Sequence, residues 1–446
     1  MIGLYIILGI ILGVTYIVMM SMMIIFERDK PKNIIIWSIV FVVTQIVGYI
    51  IYILIRQVFY KKRNSLVVKE KEDGIYDNLI SNKLYENSTD HEHDVLKFNK
   101  LAYGANITAN NHFDVLTDQS TFKENLINDI TNAKKYIILE LVKINVKDFA
   151  DIANVLIEKA KANVDIRFVY DRFHATRLLK ELKNAGVRVY RFSKYNTVGK
   201  VYANLRNVIS IDGETAYLAN LKVSNKQLKG KSETACTYIK VKGNVVQDID
   251  VSIHKDTIFA SGKYVEFDKL DKPTYSNNCI MQYVTNEAST DLELVLIKAI
   301  CMAKKSVQLE LSQFIPTESI MSLLRFAINS NIQVRLMVPL KNYSFGTYFA
   351  SRAYAKELAL LGANVYLYDG YINFNATTID DELVLYGSYI VDREHINTSP
   401  QNILLIKDSK MVKCFNEMFN SGINNSYRIN DAKFMLLREK FFKNFV

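Results

Sequence analysis

The phrase Ile211-Asp212-Gly213-Glu214 returns 168 residues later as Ile379-Asp380-Asp381-Glu382, and five residues after each Glu stands a small residue, Ala219 or Gly387. The match extends outward on both sides. Ala133-Lys134-Lys135 runs into Leu139-Glu140-Leu141 as Ala303-Lys304-Lys305 runs into Leu309-Glu310-Leu311. Asn163-Val164-Asp165-Ile166-Arg167 repeats as Asn331-Ile332-Gln333-Val334-Arg335, and Lys180-Glu181-Leu182 with Gly186 and Tyr190 repeats as Lys356-Glu357-Leu358 with Gly362 and Tyr366. Four segments in one order read as a tandem duplication. A site at the pseudo-twofold interface of such a pair takes matching groups from both halves.

The 446 residues suffice for a membrane anchor and two domains of roughly 150 residues. Leu4 to Phe26 and Ile34 to Ile55 are uncharged apolar runs, and a helix of about 20 apolar residues spans a bilayer. They predict a two-helix hairpin over residues 1–58, with no cleaved signal peptide. Arg28, Lys30 and Lys32 lie in the short connection, whereas Arg56, Lys61, Lys62, Arg63, Lys69 and Lys71 follow the second run. This bias predicts both termini and the soluble domains in the cytoplasm. Cys236, Cys279, Cys301 and Cys414 show no metal spacing and read as reduced thiols. With 56 basic against 46 acidic residues, the chain suits an anionic membrane surface, and the anchor argues against nucleic acid as partner.

A charged linker and lead-in is expected over 59–110; within it, His91 and His93 read as solvated rather than as metal ligands. Strand runs at Val164–Tyr170 and Ile332–Val338, with helical spacing over 151–162, 176–184, 318–329 and 348–361, predict α/β layers. The two repeats are placed at 111–270 and 271–430. In the last segment, 431–446, Phe434, Leu437, Phe441 and Phe445 share one helical face beside Lys433, Lys440 and Lys443. This basic amphipathic helix lies in the membrane interface or packs on its own domain. Gly9 and Gly13 form a small-xxx-small pair in the first apolar run.

The layout resembles the bacterial cardiolipin synthases of the phospholipase D superfamily over almost the whole chain. The resemblance rests on Glu27-Arg28-Asp29-Lys30-Pro31 through Trp37, Gly48 and Tyr52; on Val115-Leu116-Thr117-Asp118 and the strand ending at Asp171; on Phe314-Ile315-Pro316 and Val338-Pro339; and on Asp380-Asp381-Glu382 with Gly387-Ser388 and Asp392. It implies two tandem phospholipase D-like α/β repeats related by a pseudo-twofold. It also implies one His-x-Lys-x-x-x-x-Asp motif per half: one histidine attacks phosphorus, the other protonates the leaving alcohol, and the lysines neutralise the phosphoryl oxygens.

Counting back from Asp212 and Asp380 puts Leu205 and Asn373 at the histidine positions and Asn207 and Asn375 at the lysine positions. The supporting residues differ too: Ala219-Asn220 stands for Gly-Gly, Ile390 for Asn, Gln401 for Glu, and Leu311-Ser312-Gln313 for Thr-Pro-Tyr. None of His91, His93, His112, His174, His254 and His395 pairs symmetrically about the motifs, and His395 is the one candidate for a substitute. Asp212 and Asp380 fall where a strand turns, where Asp bonds backbone amides. The expectation is therefore a non-catalytic, membrane-anchored relative that binds phospholipid or regulates a partner enzyme, such as an active cardiolipin synthase or another lipid-metabolism enzyme, with no metal or cofactor. Asn207, Asn373, Asn375, Gln401 and His395 are the candidate phosphate or lipid contacts, and a homo- or hetero-oligomer is open. The alternative is an active phosphatidyltransferase with a non-standard nucleophile; a metal-assisted version would have only two carboxylates to offer.

Overall fold

The computed structural model describes residues 2–26, 31–45, 47–54, 94–142, 146–171, 176–192, 204–219, 233–261, 279–286, 292–340, 345–392, 399–429 and 443. His395, Asn220, most of the charged linker and, apart from Lys443, the C-terminal segment 431–446 lie outside them. The chain forms two units, Met1–Asp77 with Phe441–Val446, and Asn78–Lys440.

In the first unit, α1 runs Ile2–Phe26 and α2 runs Pro31–Thr44. The second apolar run was expected as one helix over Ile34–Ile55, and the structure corrects this. The helix stops at Thr44, Gln45 adopts a left-handed φ of 48°, and helical backbone resumes at 47–54. Gly48 permits the close turn, since a Cβ there would stand 2.2 Å from Thr44 Oγ1. Fourteen residues at 1.5 Å each reach about 21 Å, short of the ~30 Å hydrocarbon core. Apolar run length does not register such a break. Among the described residues, no helix is long and apolar enough to cross a membrane; in α1 the side chains are described continuously from Gly13 to Ile25. Met23, Phe41 and Tyr52 are buried between these helices, with Trp37 set edge-on to Tyr52 at 5.0 Å. Ile17, Ile25, Ile39, Val42, Val43 and Val47 face outward.

The second unit is an α/β structure built on one 15-stranded sheet. Its first half contributes β1 (Ile107–Leu116), β2 (Tyr136–Leu141), β3 (Asp165–Tyr170), β4 (Arg188–Arg191), β5 (Val208–Ile211), β6 (Thr215–Leu218), the short β7 (Glu233–Ala235) and β8 (Tyr238–Gly243). Its second half contributes β9 (Cys279–Thr285), β10 (Ser306–Glu310), β11 (Phe314–Ile315), β12 (Gln333–Pro339), β13 (Asn364–Tyr368), β14 (Gly370–Ile372), β15 (Asn375–Ile379), β16 (Leu383–Gly387), β17 (Val391–Asp392), β18 (Asn402–Lys407) and β19 (Ser426–Arg428). Read from the centre, one side of the large sheet runs β1-β8-β6-β5-β2-β3-β4 and the other β9-β18-β16-β15-β10-β12-β13, with β19 on the edge. The two sequences of strands correspond one to one. They meet where β1 pairs antiparallel with β9, Ile107 opposite Gln282.

The helices are α3 (Asp94–Tyr103), α4 (Gln119–Asn132), α5 (Val146–Lys161), α6 (Thr176–Asn184), α7 (Val245–Ser261), α8 (Glu293–Met302), α9 (Glu318–Asn329), α10 (Phe345–Leu360) and α11 (Ser409–Asn424). Side-chain caps start three of them: Asp118 accepts from Thr121 N, Thr317 from Ile320 N and Asp408 from Lys410 N. The lead-in region, read from its charge as linker, thus ends in a helix. Val95, Leu96 and Asn99 of α3 are buried, and buried Gln282 donates to the carbonyls of Leu96 and Ala105, both at 3.0 Å. Only three of its ten residues turn inward, too few to stand out as apolar periodicity. One core cluster lies under α4 to α6 in the first half; the other, gathered with residues of α7 and α11, draws on both halves.

Candidate functional site

Asp212 and Asp380 close the β5–β6 and β15–β16 turns in the left-handed region, at φ 54° and 52°. The Asp212 carboxylate accepts from the backbone N–H groups of Lys134, Lys135 and Tyr136 at 2.7, 2.8 and 2.9 Å. Asp380 accepts from Lys304, Lys305 and Ser306 at 2.6, 2.6 and 2.8 Å. Each carboxylate ties its turn to the start of the neighbouring strand, β2 or β10. This explains why the repeated Ala-Lys-Lys segments precede those strands.

Of the four positions seven and five residues before these aspartates, the first in each half bonds to the opposite half. Leu205 N–H donates to Pro400 O of the second half at 2.8 Å, and Asn373 N–H donates to Ala235 O of the first half at 2.9 Å. The second crossing continues as the β7–β14 pair, Ile372 opposite Ala235. Each half therefore holds the other's first motif position. The second positions also correspond: Asn207 Oδ1 accepts from Val142 N at 3.1 Å, and Asn375 Oδ1 accepts from Ser312 N at 2.9 Å. Asn375 Oδ1 takes the Ser312 hydroxyl as well, and Asn207 Nδ2 turns back to Leu205 O at 3.1 Å. All four side chains are buried.

Leu205 packs with Val142 and Ile390 in a separate apolar cluster, so a branched hydrocarbon fills this part of the crossing. Gln401, fully buried, accepts from Ile390 N through Oε1 at 2.7 Å and fixes that residue's backbone. Burial pushes the thiol of Cys236 up, against the lowering effect of its bonds with Tyr238 and Asn373. A thiol held neutral is a poor nucleophile. The remaining described histidines are elsewhere: His112 is partly exposed beside Asp114, and His254 is buried against Arg167. Among the described residues no group of three His, Cys, Asp or Glu side chains could hold a metal.

One family model, described as the PLD-like domain of cardiolipin synthase, matches residues 296–423. A probable cardiolipin synthase YwiE of Bacillus subtilis is 24% identical over 96% of this chain and 89% of its own length. A cardiolipin synthase of Oceanobacillus iheyensis is 27% identical, covering 94% and 93%. The crystal structure of phosphatidylserine synthase from Haemophilus influenzae superposes with a TM-score of 0.58, at 12% identity, over 79% of this chain and 97% of that one, a likeness of fold. The chain is thus similar to proteins named cardiolipin synthases along nearly its whole length.

Directly beneath the crossing lies a buried polar layer that the motif count did not reveal. Arg206, between Leu205 and Asn207, points the opposite way. Its guanidinium pairs with Asp256 and donates to Asn286 O at 2.6 Å and Gln401 O at 3.3 Å. Asn204 Nδ2 donates to Glu140 and, at 3.2 Å, to Asp256, while its N–H donates to Asp171 Oδ2 at 3.1 Å. Burial, with Asp256 adding to it, drives the Glu140 carboxyl well above its ordinary range. The sequence signal was the run Asn204-Leu205-Arg206-Asn207 just ahead of β5, in which polar Asn204 and charged Arg206 alternate with the motif positions. His395 lies outside the described residues; Asn207, Asn373, Asn375 and Gln401 are all buried.

Proposed function

We propose that this chain is a membrane-anchored, non-catalytic member of the cardiolipin synthase family, acting as a scaffold or regulatory partner in anionic phospholipid metabolism. The observation that carries the reading is the Val142–Leu205–Ile390 cluster. It supports a filled crossing at the position from which the first half's nucleophile would project. Asn207 has both ends of its amide engaged internally, which favours binding at a surface over binding in a pocket. A phosphate contact with Asn373, Asn375, Gln401 or His395 would exchange existing bonds or use residues outside the described set. The one-to-one strand order supports a tandem duplication. The outward apolar side chains of the first unit favour attachment to a bilayer, and the basic bias favours the soluble unit in the cytoplasm.

A second reading is an active synthase with a non-standard nucleophile. It is favoured by relatives that are themselves named cardiolipin synthases over nearly the full chain and by the buried carboxyls under the crossing. Lipid analysis of cells with and without the protein, together with identification of what co-purifies with it, separates the two. The scaffold reading expects a bound lipid-metabolism enzyme and a modest change in cardiolipin. Loss of cardiolipin on deletion, with no synthase in the purified material, would overturn it.

A further inference from the structure

We propose that the first turns of α10 form a docking surface for anionic phospholipid headgroups, seating the second half on the bilayer. Phe345 opens the helix 63% exposed. Its ring meets Phe349 edge-on at 4.8 Å, and Phe349 meets Tyr348 edge-on at 4.9 Å. Arg352 stacks over the Tyr348 ring at 5.3 Å and bonds the phenol oxygen. Three rings at a helix start, one with a polar tip and one turn from a stacked guanidinium, have the chemistry of the bilayer interface: apolar bodies enter the acyl boundary while hydroxyl and cation stay among phosphates.

Charge selects the occupant. The chain carries a net +10, and a guanidinium beside aromatic rings complements a phosphodiester headgroup. The surface also connects to the crossing of the halves. Ser351, on the same helix, accepts from Phe314 N at 3.0 Å; Phe314 pairs with Val391, next to Ile390 of the apolar cluster. Lipid contact at α10 is therefore two backbone steps from the former reaction centre.

This inference rests on the membrane-anchored reading, and one experiment separates their failures. Trp37 is the chain's single tryptophan and reports the first unit; a Trp37→Phe, Phe345→Trp variant reports α10. The full chain is reconstituted in vesicles of phosphatidylglycerol with brominated acyl chains, and emission is compared with unbrominated vesicles. Both reporters should lose emission. The α10 reporter should lose less when Arg352→Glu is added or when brominated phosphatidylcholine is the lipid. Because Phe345 is largely exposed, its replacement leaves the core intact, and Phe349→Ser in that background should weaken quenching again. Quenching of Trp37 without the α10 reporter overturns the docking surface and leaves the anchor standing. Quenching of neither overturns the anchor and, with it, this proposal.

Discussion

The two halves share a frame and differ in what lies under it. Asp212 and Asp380 bind the corresponding three backbone amides in each half, and Asn207 and Asn375 each accept from a residue just past the neighbouring strand. One layer down the correspondence ends. The first half sets Asn204 and Arg206 against buried Glu140, whereas the matching second-half positions hold Ile372 and Phe374 in an apolar core beside buried Glu310. Glu310 Oε2 has no hydrogen-bond partner among the described residues, and burial alone pushes that carboxyl up to about 8. Turn geometry dictates the frame, so both halves keep it. The layer beneath answers to local packing, and each half has solved it separately.

The sharpest way to break this comparison is to remove Arg206. Arg206→Met takes the charged partner from Asp256 and its donor from the carbonyls of Asn286 and Gln401, and losing one partner of a buried pair costs about 3–5 kcal/mol. Phe374→Leu, at the matching second-half position, conserves the apolar character and should cost under about 2 kcal/mol. Urea unfolding of the purified chain reads both, and equal costs would mean that the first-half network is not what joins the halves.

Asp212→Ala and Asp380→Ala test the shared frame. Each leaves three amide donors without their acceptor and puts Ala in the left-handed region, a loss of roughly 2–4 kcal/mol. The two losses should agree within about 0.5 kcal/mol. A large inequality in thermal or urea unfolding would show that one aspartate has a further task.

A pH titration of stability probes the lone carboxyl. Glu310 is raised from 4.5 to about 8 in the fold, so the folded state binds its proton more tightly than the unfolded chain. Its contribution is fully present below about pH 4.5 and is lost as pH rises towards 8. Glu310→Gln should flatten that decline by roughly 1–4 kcal/mol and leave the variant the more stable protein at pH 8. An unchanged slope between pH 5 and 8 would mean that the carboxyl finds a partner or water. The smallest effect belongs to the apolar cluster: Ile390→Val removes one methylene beside Leu205 and should cost about 0.5–1.5 kcal/mol by thermal denaturation, with no loss signalling a loosely filled crossing.

What could be read from the sequence follows the same division. Asn163 and Asn331 at φ 63° and 60°, Gly186 and Gly362 at 101° and 109°, and the two turn aspartates all sit where few residues are tolerated. These residues carry the repeated sequence pattern, because local backbone geometry writes itself into local sequence. The partners of Arg206 stand 80 and 195 residues away, and no spacing rule joins them. Nor does any rule bring Val142 and Ile390 onto Leu205. The break at Gln45 escaped for the opposite reason, since uniform apolarity conceals where a helix ends.

The most direct test is turnover by the purified full chain in phosphatidylglycerol vesicles, followed by mass spectrometry for cardiolipin and released glycerol. With Leu205 and Asn373 where two histidines would be needed, neither product should rise above protein-free vesicles. Cardiolipin and glycerol appearing together, and disappearing in Asn373→Ala or His395→Ala, would contradict the account.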